Sequence, residues 1–408
     1  MYLLYGLGIA NSSVRKYFDE NNISYKVFED GKTNYKNYDD VLNEINIIIK
    51  SPGILNESTL LQQAKKRKIQ IITDIELFYN IVQPNFLICV SGSNGKTTVT
   101  KMLGNLLADE EFQISGNIGL PLFDYTNHQS KKYIVECSSY MLEYTQLLKP
   151  NIYILLNIEK HHLDHHHTFV NYIKAKIKPL KQMTEEDCFI YPKDNLLISR
   201  IANTYCVKKL PFSLEQSNID FKNLKLIGTH NYLNVMTVIN TLQALNINIE
   251  DKLNFIYHFQ PLSHRLEILF KENNPLVLFV NDSKSTNVFA TIVGVNSIIN
   301  KFPNSKIHLI LGGQCINQNY ELIIPLIKYI SHIYCYGEAG KIFMKYIRHN
   351  IYYFQCLKEL LSYLNNVQFI KDDVVLFSPG APSLDEFNSF EERGTFFIRN
   401  LNLKKRQI

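Results

Sequence analysis

The chain has 408 residues, of which 46% are hydrophobic and 20% are charged, and both fractions are typical of globular proteins. This composition excludes a disordered or collagen-like chain, and the length suffices for about two to four domains. Lysine and arginine outnumber aspartate and glutamate by 43 to 38, a small excess that gives no indication of a dedicated nucleic-acid or membrane-surface binder.

No apolar run approaches the roughly 20 residues that a membrane-spanning helix needs. The first residues indicate a strand followed by a glycine turn rather than a signal peptide. The seven cysteines are widely spaced and form no CxxC pair, so neither a disulfide framework nor a cysteine zinc site is predicted. We therefore expect a cytoplasmic protein that is not inserted in a membrane and does not bind nucleic acid.

Short apolar runs alternate with helical patterns along most of the chain, which is typical of α/β proteins with largely parallel sheets. The first region predicts a small doubly wound domain that ends near Pro84. Its expected strands are 2–5, 24–29, 46–50 and 69–73, and its expected helices are 12–21, 38–45 and 57–67.

A second α/β domain is expected over residues 85–260, beginning with the strand Phe86–Val90 and continuing with apolar strands at 133–135 and 152–156. Region 186–228 has no clear period, and a helix is expected to begin near Asn231.

A third domain is expected over residues 261–408, after the first domain at 1–84 and the second at 85–260. Its predicted strands are 276–280, 307–311, 333–336 and 374–377. Three of these strands end in glycine or Asn-Asp turns, and open α/β sheets bind ligands at such strand ends.

The strongest functional signal is the segment Ser91-Gly-Ser-Asn-Gly-Lys-Thr-Thr98, between a buried strand and a helical pattern that begins at Val99. Small residues let backbone N–H groups surround phosphate oxygens, and a helix N-terminus favours anions. Lys96 can reach the β- and γ-phosphates, and the Thr97 hydroxyl can bind Mg²⁺. The P-loop form GxxxxGK[ST] is met only loosely, so a glycine-serine turn without a ligand is the alternative.

A second, weaker signal is Gly6-Leu-Gly-Ile-Ala-Asn11, which resembles the GxGxxG pattern of nucleotide-binding folds with asparagine at the last position. Acidic residues Glu29 and Asp30 end the next predicted strand, as such a site requires. The alternative is a tight strand-to-helix turn without a ligand.

Three polar segments follow the phosphate loop. Glu136 ends a predicted strand and could serve the nucleotide's Mg²⁺, unless it is an exposed charge or a helix cap. The run 161–167 contains five histidines, but it has no matched partner cluster, so a structural zinc site is disfavoured and most of these histidines are expected on a solvated loop. The lysines of 174–178 alone indicate a solvated basic face.

Further motifs occur along the chain in a recognisable order. They are Gly116-Asn-Ile-Gly-Leu-Pro121, Glu136-Cys-Ser-Ser-Tyr-Met-Leu-Glu143, Gly228-Thr-His-Asn231 with Asn234, Ser263-His-Arg265-Leu-Glu267, Asn281-Asp-Ser-Lys-Ser-Thr-Asn287 and the segment Ser378–Gly394. With the phosphate loop, these motifs resemble the Mur ligase family over nearly the whole chain. The segments beginning at Asn281 and at Ser383 resemble the member of the family that adds D-glutamate.

The resemblance implies a three-domain α/β fold. It would consist of a Rossmann-like N-terminal domain for a uridine-nucleotide substrate, a central P-loop ATPase-like domain and a Rossmann-like C-terminal domain for an amino acid. It also implies an ATP-dependent ligase of peptidoglycan synthesis that joins D-glutamate to UDP-N-acetylmuramoyl-L-alanine through an acyl phosphate, acting as a monomer on these small molecules.

The resemblance also assigns residues to roles. Catalytic roles fall to Lys96, Glu136, His162 and Lys176, and two Mg²⁺ ions would be bound by Thr97, Glu136, His162 and a carbamate of Lys176. ATP contacts fall to Gly92, Ser93, Asn94, Gly95, Lys96, Thr97, Thr98, Asn231, Asn234, Arg265 and Asp282. UDP-substrate contacts fall to Ile9, Ala10, Glu29, Ser51, Pro52, Gly53 and Asn117. D-Glutamate contacts fall to Lys284, Thr286, Ser383, Leu384 and Phe390.

Two positions depart from the family pattern. Ala10 stands where threonine is common, and Ile316 stands where a lysine usually helps to bind the D-glutamate carboxylate. The nearest rival enzyme, folylpolyglutamate synthase, is disfavoured because it lacks a separate domain before its ATP loop. An ATP-binding regulator without ligase activity would leave the coincidence of Glu136, His162 and Lys176 unexplained.

Overall fold

The computed structural model describes residues 1–33, 37–125, 131–215, 219–348 and 350–405. Three β-sheets with four, six and seven strands follow one another along the chain, as the sequence predicted. The chain forms two compact units, one made of residues 1–219 and 233–256 and the other of residues 220–232 and 257–408.

The first sheet is parallel and has the strand order β2-β1-β3-β4. Its strands are β1 (Tyr2–Tyr5), β2 (Tyr25–Phe28), β3 (Ile47–Lys50) and β4 (Gln70–Ile72), and its helices are α1 (Ile9–Glu20), α2 (Tyr38–Leu42), α3 (Thr59–Lys66) and α4 (Asp74–Val82). The connections change direction between β1 and β3, so the loops after these two strands lie at the switch point where such folds bind ligands.

The second sheet is also parallel and has the order β10-β9-β8-β5-β7-β6. Its strands are β5 (Phe86–Ser91), β6 (Phe112–Gly116), β7 (Lys132–Glu136), β8 (Ile152–Leu155), β9 (Cys188–Pro192) and β10 (Lys208–Phe212). The accompanying helices are α5 (Lys96–Leu106), α6 (Ser139–Leu142), α7 (Leu163–His166), α8 (Phe169–Lys176), α9 (Leu196–Ala202), α10 (Thr229–Ala244) and α11 (Glu250–His258).

The third sheet is mixed and has the order β15-β14-β13-β16-β12-β11-β17, with β11 antiparallel to both of its neighbours. Its strands are β11 (Glu267–Lys271), β12 (Asn274–Asn281), β13 (Lys306–Gly312), β14 (Ile330–Tyr336), β15 (Ile351–Phe354), β16 (Asp373–Phe377) and β17 (Lys404–Lys405). Its helices are α12 (Val288–Lys301), α13 (Gly337–Tyr346), α14 (Leu357–Leu364) and α15 (Phe390–Asn400).

The first and second sheets share one hydrophobic core within the first unit. Phe78 of α4 packs its ring edge-on against Tyr133 of β7, with 4.9 Å between ring centroids, and against Phe123 at 5.9 Å. Such aromatic pairs add packing energy to the burial of their apolar area. The third sheet has separate cores on its two faces.

The element boundaries differ from the sequence predictions mainly at helix starts. Helix α1 begins at Ile9 rather than at residue 12, and α5 begins at Lys96 rather than at Val99. Both helices start directly from a glycine-rich turn. Their first helical turn lacks the apolar periodicity from which a helix is predicted, so the predicted starts were too late. The irregular region 186–228 contains β9, α9 and β10, and α10 begins two residues before Asn231.

None of the helices in the described part of the chain combines the length and the hydropathy that a membrane span requires.

Candidate active site

The phosphate loop links β5 to α5, and hydrogen bonds join it to the segment that follows β8. The amide N–H of Asn94 donates to Asn157 Oδ1 at 2.8 Å, and the side-chain amide of Asn157 donates back to the carbonyl of Asn94 at 3.1 Å. Ser93 Oγ accepts a hydrogen bond from the amide of Glu159 at 2.9 Å and lies 2.8 Å from the hydroxyl of Tyr172. These bonds fix the loop before any ligand arrives, which is the preorganisation that anion binding needs.

Glycine is required at position 95 of this loop. Gly95 has a φ of +86°, which side-chain-bearing residues rarely adopt. A Cβ atom there would lie 2.4 Å from Oδ1 of Asn234 in α10. The structure thus places Asn234, predicted to contact ATP, against the phosphate loop. Thr97 and Thr98 lie in the first turn of α5, where Thr98 is buried and Thr97 is half-buried.

Two lysines converge on one carbonyl of the loop. Lys96 Nζ donates to the carbonyl oxygen of Gly92 at 2.9 Å, and Lys176 Nζ donates to the same oxygen at 2.8 Å. Lys96 comes from α5 and Lys176 from the last residue of α8. The structure therefore brings these two predicted catalytic residues together from positions 80 residues apart in sequence.

Lys176 is buried, and the expectation of a solvated basic face is wrong for this residue. It is only 1% exposed, its Nζ also approaches Ser91 Oγ at 3.3 Å, and it lies 4.9 Å from the ring centroid of Tyr172. Burial lowers the pKa of Lys176 well below its ordinary value, and the positive charge of Lys96 lowers it further. Its amine is therefore disposed to be neutral and nucleophilic. Lys174, on the same helix, remains exposed.

Glu136 ends β7 beside the loop and is buried, with 1% exposure, so the alternative of an exposed charge is wrong. Its Oε1 accepts a hydrogen bond from the side-chain amide of Asn117 at 3.1 Å. Its Oε2 is buried without a hydrogen-bond partner among the described residues. A buried carboxylate oxygen without a donor is costly unless a cation approaches it, so this side chain fits a role as an Mg²⁺ ligand.

His162 directly precedes α7 and has a left-handed backbone, with a φ of +53°. Its Nδ1 lies 2.9 Å from the hydroxyl of Tyr140. Burial, together with the neighbouring His161 and Lys96, lowers the pKa of His162 to about 4. His162 is therefore neutral near pH 7, and with Tyr140 on Nδ1 its Nε2 is the nitrogen suited to bind a metal ion.

The other histidines of the run are not all on a solvated loop, so that prediction was wrong for two of them. His165 and His166 end α7 and are both buried. His165 Nε2 lies 2.8 Å from Glu143 Oε2, and His166 Nε2 lies 2.9 Å from Ser139 Oγ. The segment after β7 provides both partners, so the local sequence of the histidine run could not reveal them.

The predicted UDP-substrate residues other than Asn117, which follows β6 of the second sheet, lie at the carboxyl edge of the first sheet. Ser51 begins the loop after β3, and its amide donates to the carbonyl of Tyr5 in β1 at 3.0 Å. A Cβ atom on Gly8 would lie 3.0 Å from Ser51 Oγ, so the loops after β1 and β3 touch at the switch point. The remaining members of this set are exposed or half-buried at the same edge, and they are Ile9, Ala10, Glu29, Pro52 and Gly53.

Asn11, the last position of the pattern that resembles GxGxxG, has a structural contact instead. Its side-chain amide donates to the carbonyls of Tyr5, Gly6 and Ile49, at distances of 3.2, 2.8 and 3.0 Å. It therefore ties α1 to the ends of β1 and β3 and leaves Ile9 exposed above them.

The second unit contains the other predicted nucleotide contacts. The side-chain amide of Asn231 donates to the carbonyl of Ile227 at 2.8 Å, and Arg265 is half-buried beside β11. Asp282 accepts hydrogen bonds from the hydroxyls of Ser285 and Ser378, at 2.5 and 2.8 Å. Burial raises the pKa of Asp282 to about 6, and these bonds limit the rise.

The predicted amino-acid contacts lie on the loops after β12 and β16, which are neighbouring strands. Lys284 Nζ lies 3.9 Å above the ring of Phe390, and Thr286 follows it on the same loop. The amide of Gly380 donates to the carbonyl of Ser285 at 3.0 Å, which joins the two loops. Ser383 is buried, whereas Leu384 is exposed.

Comparisons with known proteins agree with this arrangement. Residues 90–250 match the model of the Mur ligase middle domain. The UDP-N-acetylmuramoylalanine–D-glutamate ligase of Buchnera aphidicola subsp. Baizongia pistaciae is 33% identical, and the match covers 97% of this chain and 96% of that protein. The ligase of the same name from Francisella tularensis subsp. tularensis is 31% identical, covering 89% of this chain and 86% of that protein.

The chain belongs to the family of UDP-N-acetylmuramoylalanine–D-glutamate ligases. The resemblance inferred from the motifs is thereby confirmed. The fold of this ligase is also that of solved relatives with other names. The crystal structure of the ligase MurF from Thermotoga maritima, in complex with ADP, superposes with a TM-score of 0.62 at 16% identity, covering 95% of this chain and 92% of that one.

Sequence reasoning missed several residues that build the ligase site. Asn157 and Glu159 support the phosphate loop, and Tyr140 and Tyr172 orient His162 and Ser93. A signal for the first pair was present, because both directly follow β8, a neighbour of the strand that carries the phosphate loop. The two tyrosines carried no such signal, since tyrosine is abundant throughout this chain.

Replacing Gly95 with alanine should abolish ATP binding while the protein remains folded. The added Cβ meets Asn234 at 2.4 Å and the backbone must leave its left-handed conformation, so the loop amides lose their arrangement. Gly31→Ala is the matched control, because Gly31 also has a positive φ, of +73°, but has open space around it. Titration with a fluorescent ATP analogue checks both variants, and normal binding by Gly95→Ala would contradict the role of the loop.

Proposed function

We propose that this ligase joins D-glutamate to UDP-N-acetylmuramoyl-L-alanine in the cytoplasm, as one step of peptidoglycan precursor synthesis, and that it acts as a monomer. ATP phosphorylates the terminal carboxylate of the UDP-substrate, and the amine of D-glutamate then displaces phosphate to form the amide. A carboxylate is a poor electrophile, and its conversion to an acyl phosphate provides the leaving group. The observation that carries the proposal is the buried amine of Lys176 at the carbonyl of the phosphate loop.

The phosphate loop provides the ATP site in this proposal. The residues from Gly92 to Thr98 surround the phosphates, with Lys96 as the mobile cation that follows the γ-phosphate during transfer. Lys96 now donates to the carbonyls of Gly92 and Ser93, at 2.9 and 3.2 Å, and these neutral acceptors are readily exchanged for phosphate oxygens. Asn234, Asn231, Arg265 and Asp282 are proposed as the remaining nucleotide contacts.

Two Mg²⁺ ions would be bound by Thr97, Glu136, His162 and the carbamate of Lys176. The fit rests on the partnerless Oε2 of Glu136 and on the neutral state of His162. The bound ion would supply positive charge where the anionic ATP and the anionic carboxylate approach each other. Asn117, which donates to Glu136, is proposed to touch the UDP-substrate at the same place.

The carbamate of Lys176 follows from its environment. A neutral amine attacks CO₂, a C–N bond forms as one C–O π bond opens, and a proton leaves to solvent, so that a neutral amine becomes an anionic carbamate. Burial favours the neutral amine that reacts, and the charge of Lys96 favours the anionic product, because an anion beside Lys96 is stabilised where a second cation would be repelled. The product has carboxylate oxygens, the ligands that Mg²⁺ prefers.

The three sheets are proposed to correspond to substrate domains with boundaries near residues 84 and 260. The edge of the first sheet, with Ile9, Ala10, Glu29 and the loop 51–53, would bind the uridine nucleotide. Lys284, Thr286, Ser383, Leu384 and Phe390 would bind D-glutamate. Ala10 lacks the hydroxyl that threonine would offer, so the exposed backbone of this turn carries the contact.

The proposed reaction is tested by the dependence of phosphate release on its substrates. Phosphate should appear from ATP only when UDP-N-acetylmuramoyl-L-alanine and D-glutamate are both present, and a radiolabelled UDP-substrate should gain one glutamate. L-Glutamate, D-aspartate and L-lysine serve as competing acceptors. Phosphate release when one of the two substrates is missing would contradict the assignment. Faster reaction of another amino acid than of D-glutamate would also contradict it.

Replacing Lys176 with alanine should remove most ligase activity without unfolding the protein. Acetate or formate should restore part of it, because a short carboxylate can occupy the space of the carbamate. Labelled bicarbonate should give a carbamate signal in the ¹³C NMR spectrum of the wild type, and the variant should lack it. Lys174→Ala, on the exposed side of the same helix, is the control and should behave like the wild type. Near-normal turnover of Lys176→Ala would refute the carbamate role.

Replacing Ile316 with lysine should lower the KM for D-glutamate by at least about tenfold and leave that for ATP unchanged. Ile316 is half-buried on the turn after β13, at the position where a lysine is usual in this family. A charge-assisted hydrogen bond to a carboxylate contributes about 1.5–3 kcal/mol. Ile316→Met is the neutral control and should leave both constants unchanged. A raised KM for D-glutamate would mean that this pocket binds its amino acid in another way.

A further inference from the structure

A cluster of metal-binding side chains lies outside the set assigned to ATP and Mg²⁺. It consists of Glu143, which follows α6, and of His165 and His166 at the end of α7. Their side chains are 20%, 3% and 0% exposed, respectively. One ligand atom from each lies within 4.8 Å of the others, and over the described ranges no other trio of histidine, cysteine or acidic residues meets this condition.

His166 provides an independent indication that the cluster binds a ligand. Its Nδ1 is buried and has no hydrogen-bond partner among the described residues, although it lies 3.9 Å from Glu143 Oε1. Its Nε2 lies 2.9 Å from Ser139 Oγ, and in the tautomer whose proton is on Nε2, the Nδ1 lone pair faces the carboxylate. A lone pair buried between an imidazole and a carboxylate is costly without a proton or a cation between them.

The spacing of the ligand atoms suits a tetrahedral ion. Zinc binds nitrogen and carboxylate oxygen at about 2.1 Å, so two ligand atoms of a tetrahedral site lie about 3.4 Å apart. The observed pairs, His165 Nε2 with Glu143 Oε2 at 2.8 Å and His166 Nδ1 with Glu143 Oε1 at 3.9 Å, lie on either side of that value. These two distances involve different oxygens of Glu143, and one ligand atom from each of the three groups lies within 4.8 Å of the others, so side-chain adjustment would bring them onto one ion.

We propose that Glu143, His165 and His166 form a structural transition-metal site, for which Zn²⁺ is the best match. Two imidazoles and one carboxylate favour zinc over Mg²⁺, which prefers all-oxygen ligands. Water takes the fourth position. The proton that His165 Nε2 shares with Glu143 leaves to solvent when the ion binds, and no electron transfer is involved.

The site fixes the segment that carries His162. Helix α7 has only four residues and directly follows His162, so it has little stability of its own. The Tyr140 ring lies 4.5 Å from the ring of His165, while its hydroxyl lies 2.9 Å from His162 Nδ1. Immobilising His165 and His166 therefore immobilises the ring that orients His162.

The surroundings contain the outer contacts that such a site needs. The side-chain amide of Asn56, from the loop before α3, donates to Glu143 Oε1 at 2.6 Å, and Ser139 contacts His166. Groups in these places orient metal ligands and are costly to remove. The histidine run alone lacked a partner cluster; the fold supplies the missing carboxylate from 22 residues earlier.

The test is zinc binding by the full-length chain without a histidine tag, in excess Mg²⁺ so that the phosphate loop does not bind the probe. We expect one equivalent of Zn²⁺ to bind tightly and to raise the melting temperature, and Co²⁺ to give the intense visible absorption of a four- or five-coordinate site. Losing an outer contact already costs 10- to 100-fold in metal affinity, so His166→Gln should weaken binding at least about 100-fold.

Three further variants make the result decisive. Glu143→Gln keeps the shape of the side chain and should also lose the ion, which covers the case that His166→Gln does not fold. His167→Gln changes the neighbouring exposed histidine, and His162→Gln changes the proposed Mg²⁺ ligand, and both should bind Zn²⁺ as the wild type does. Absence of tight binding in the wild type, or loss of the ion in His162→Gln with retention in Glu143→Gln, would overturn the proposal.

Discussion

Two lysine amines donate to one carbonyl oxygen, and the chemistry of the site depends on which of the two amines carries a positive charge. Lys96 and Lys176 both donate to Gly92, at 2.9 and 2.8 Å. Two ammonium groups this close, one of them buried, would repel each other strongly. Lys96 is half-buried, whereas Lys176 is buried, and burial together with the charge of Lys96 lowers the pKa of Lys176 well below its ordinary value. The two amines therefore differ in their tendency to carry a proton, although they share one acceptor.

Lys176 is fixed by contacts with a tyrosine of β8 and with a tyrosine of its own helix. Tyr153 of β8 donates to the main-chain carbonyl of Lys176, and the Tyr172 ring lies against its amine. The hydroxyl of Tyr172 also contacts Ser93 Oγ, so this side chain joins α8 to the phosphate loop. β8, β5 and β7 are neighbours in a parallel sheet, so their carboxyl ends lie at the same edge. Residues 157–159, the phosphate loop and Glu136 therefore lie side by side at that edge.

The sequence was sufficient for features that depend on local chain geometry. The loop from Gly92 to Thr98 and the acid Glu136 were predicted because a strand end, small residues and a helix start are all visible within a few residues. Lys176 was different: its local pattern predicts a solvated face, and only the family resemblance indicated another role. Its burial depends on Tyr153, Gly92 and Ser91, which no local window contains. The prediction for His165 and His166 failed for the same reason, since Ser139 and Glu143 bury them from another segment.

In the second unit, one buried cation organises the loops that the glutamate assignment relies on. Arg393 of α15 is fully buried and donates to the carbonyl and hydroxyl of Ser283, at 2.8 and 3.0 Å, and to the carbonyls of Ala381 and Pro382, at 2.9 and 3.1 Å. These acceptors belong to the loops after β12 and β16. Among the described residues no carboxylate forms a close ion pair with it, so its direct partners are neutral carbonyl and hydroxyl groups, while Asp385 and Glu386 interact with its charge from farther away.

That arrangement bears on the absence of a lysine at position 316. A carbonyl of Pro382 accepts both from Arg393 and from the amide of Gln314, so the guanidinium is bonded to the turn that leads to Ile316 through a single acceptor. The carboxylates of Asp385 and Glu386 lie close enough to interact electrostatically with this guanidinium, so its charge is partly offset within the same loop region. Arg393 is fully buried and therefore cannot replace a direct contact from position 316. Its contribution is structural, because its hydrogen bonds fix the two loops and the turn after β13 relative to one another.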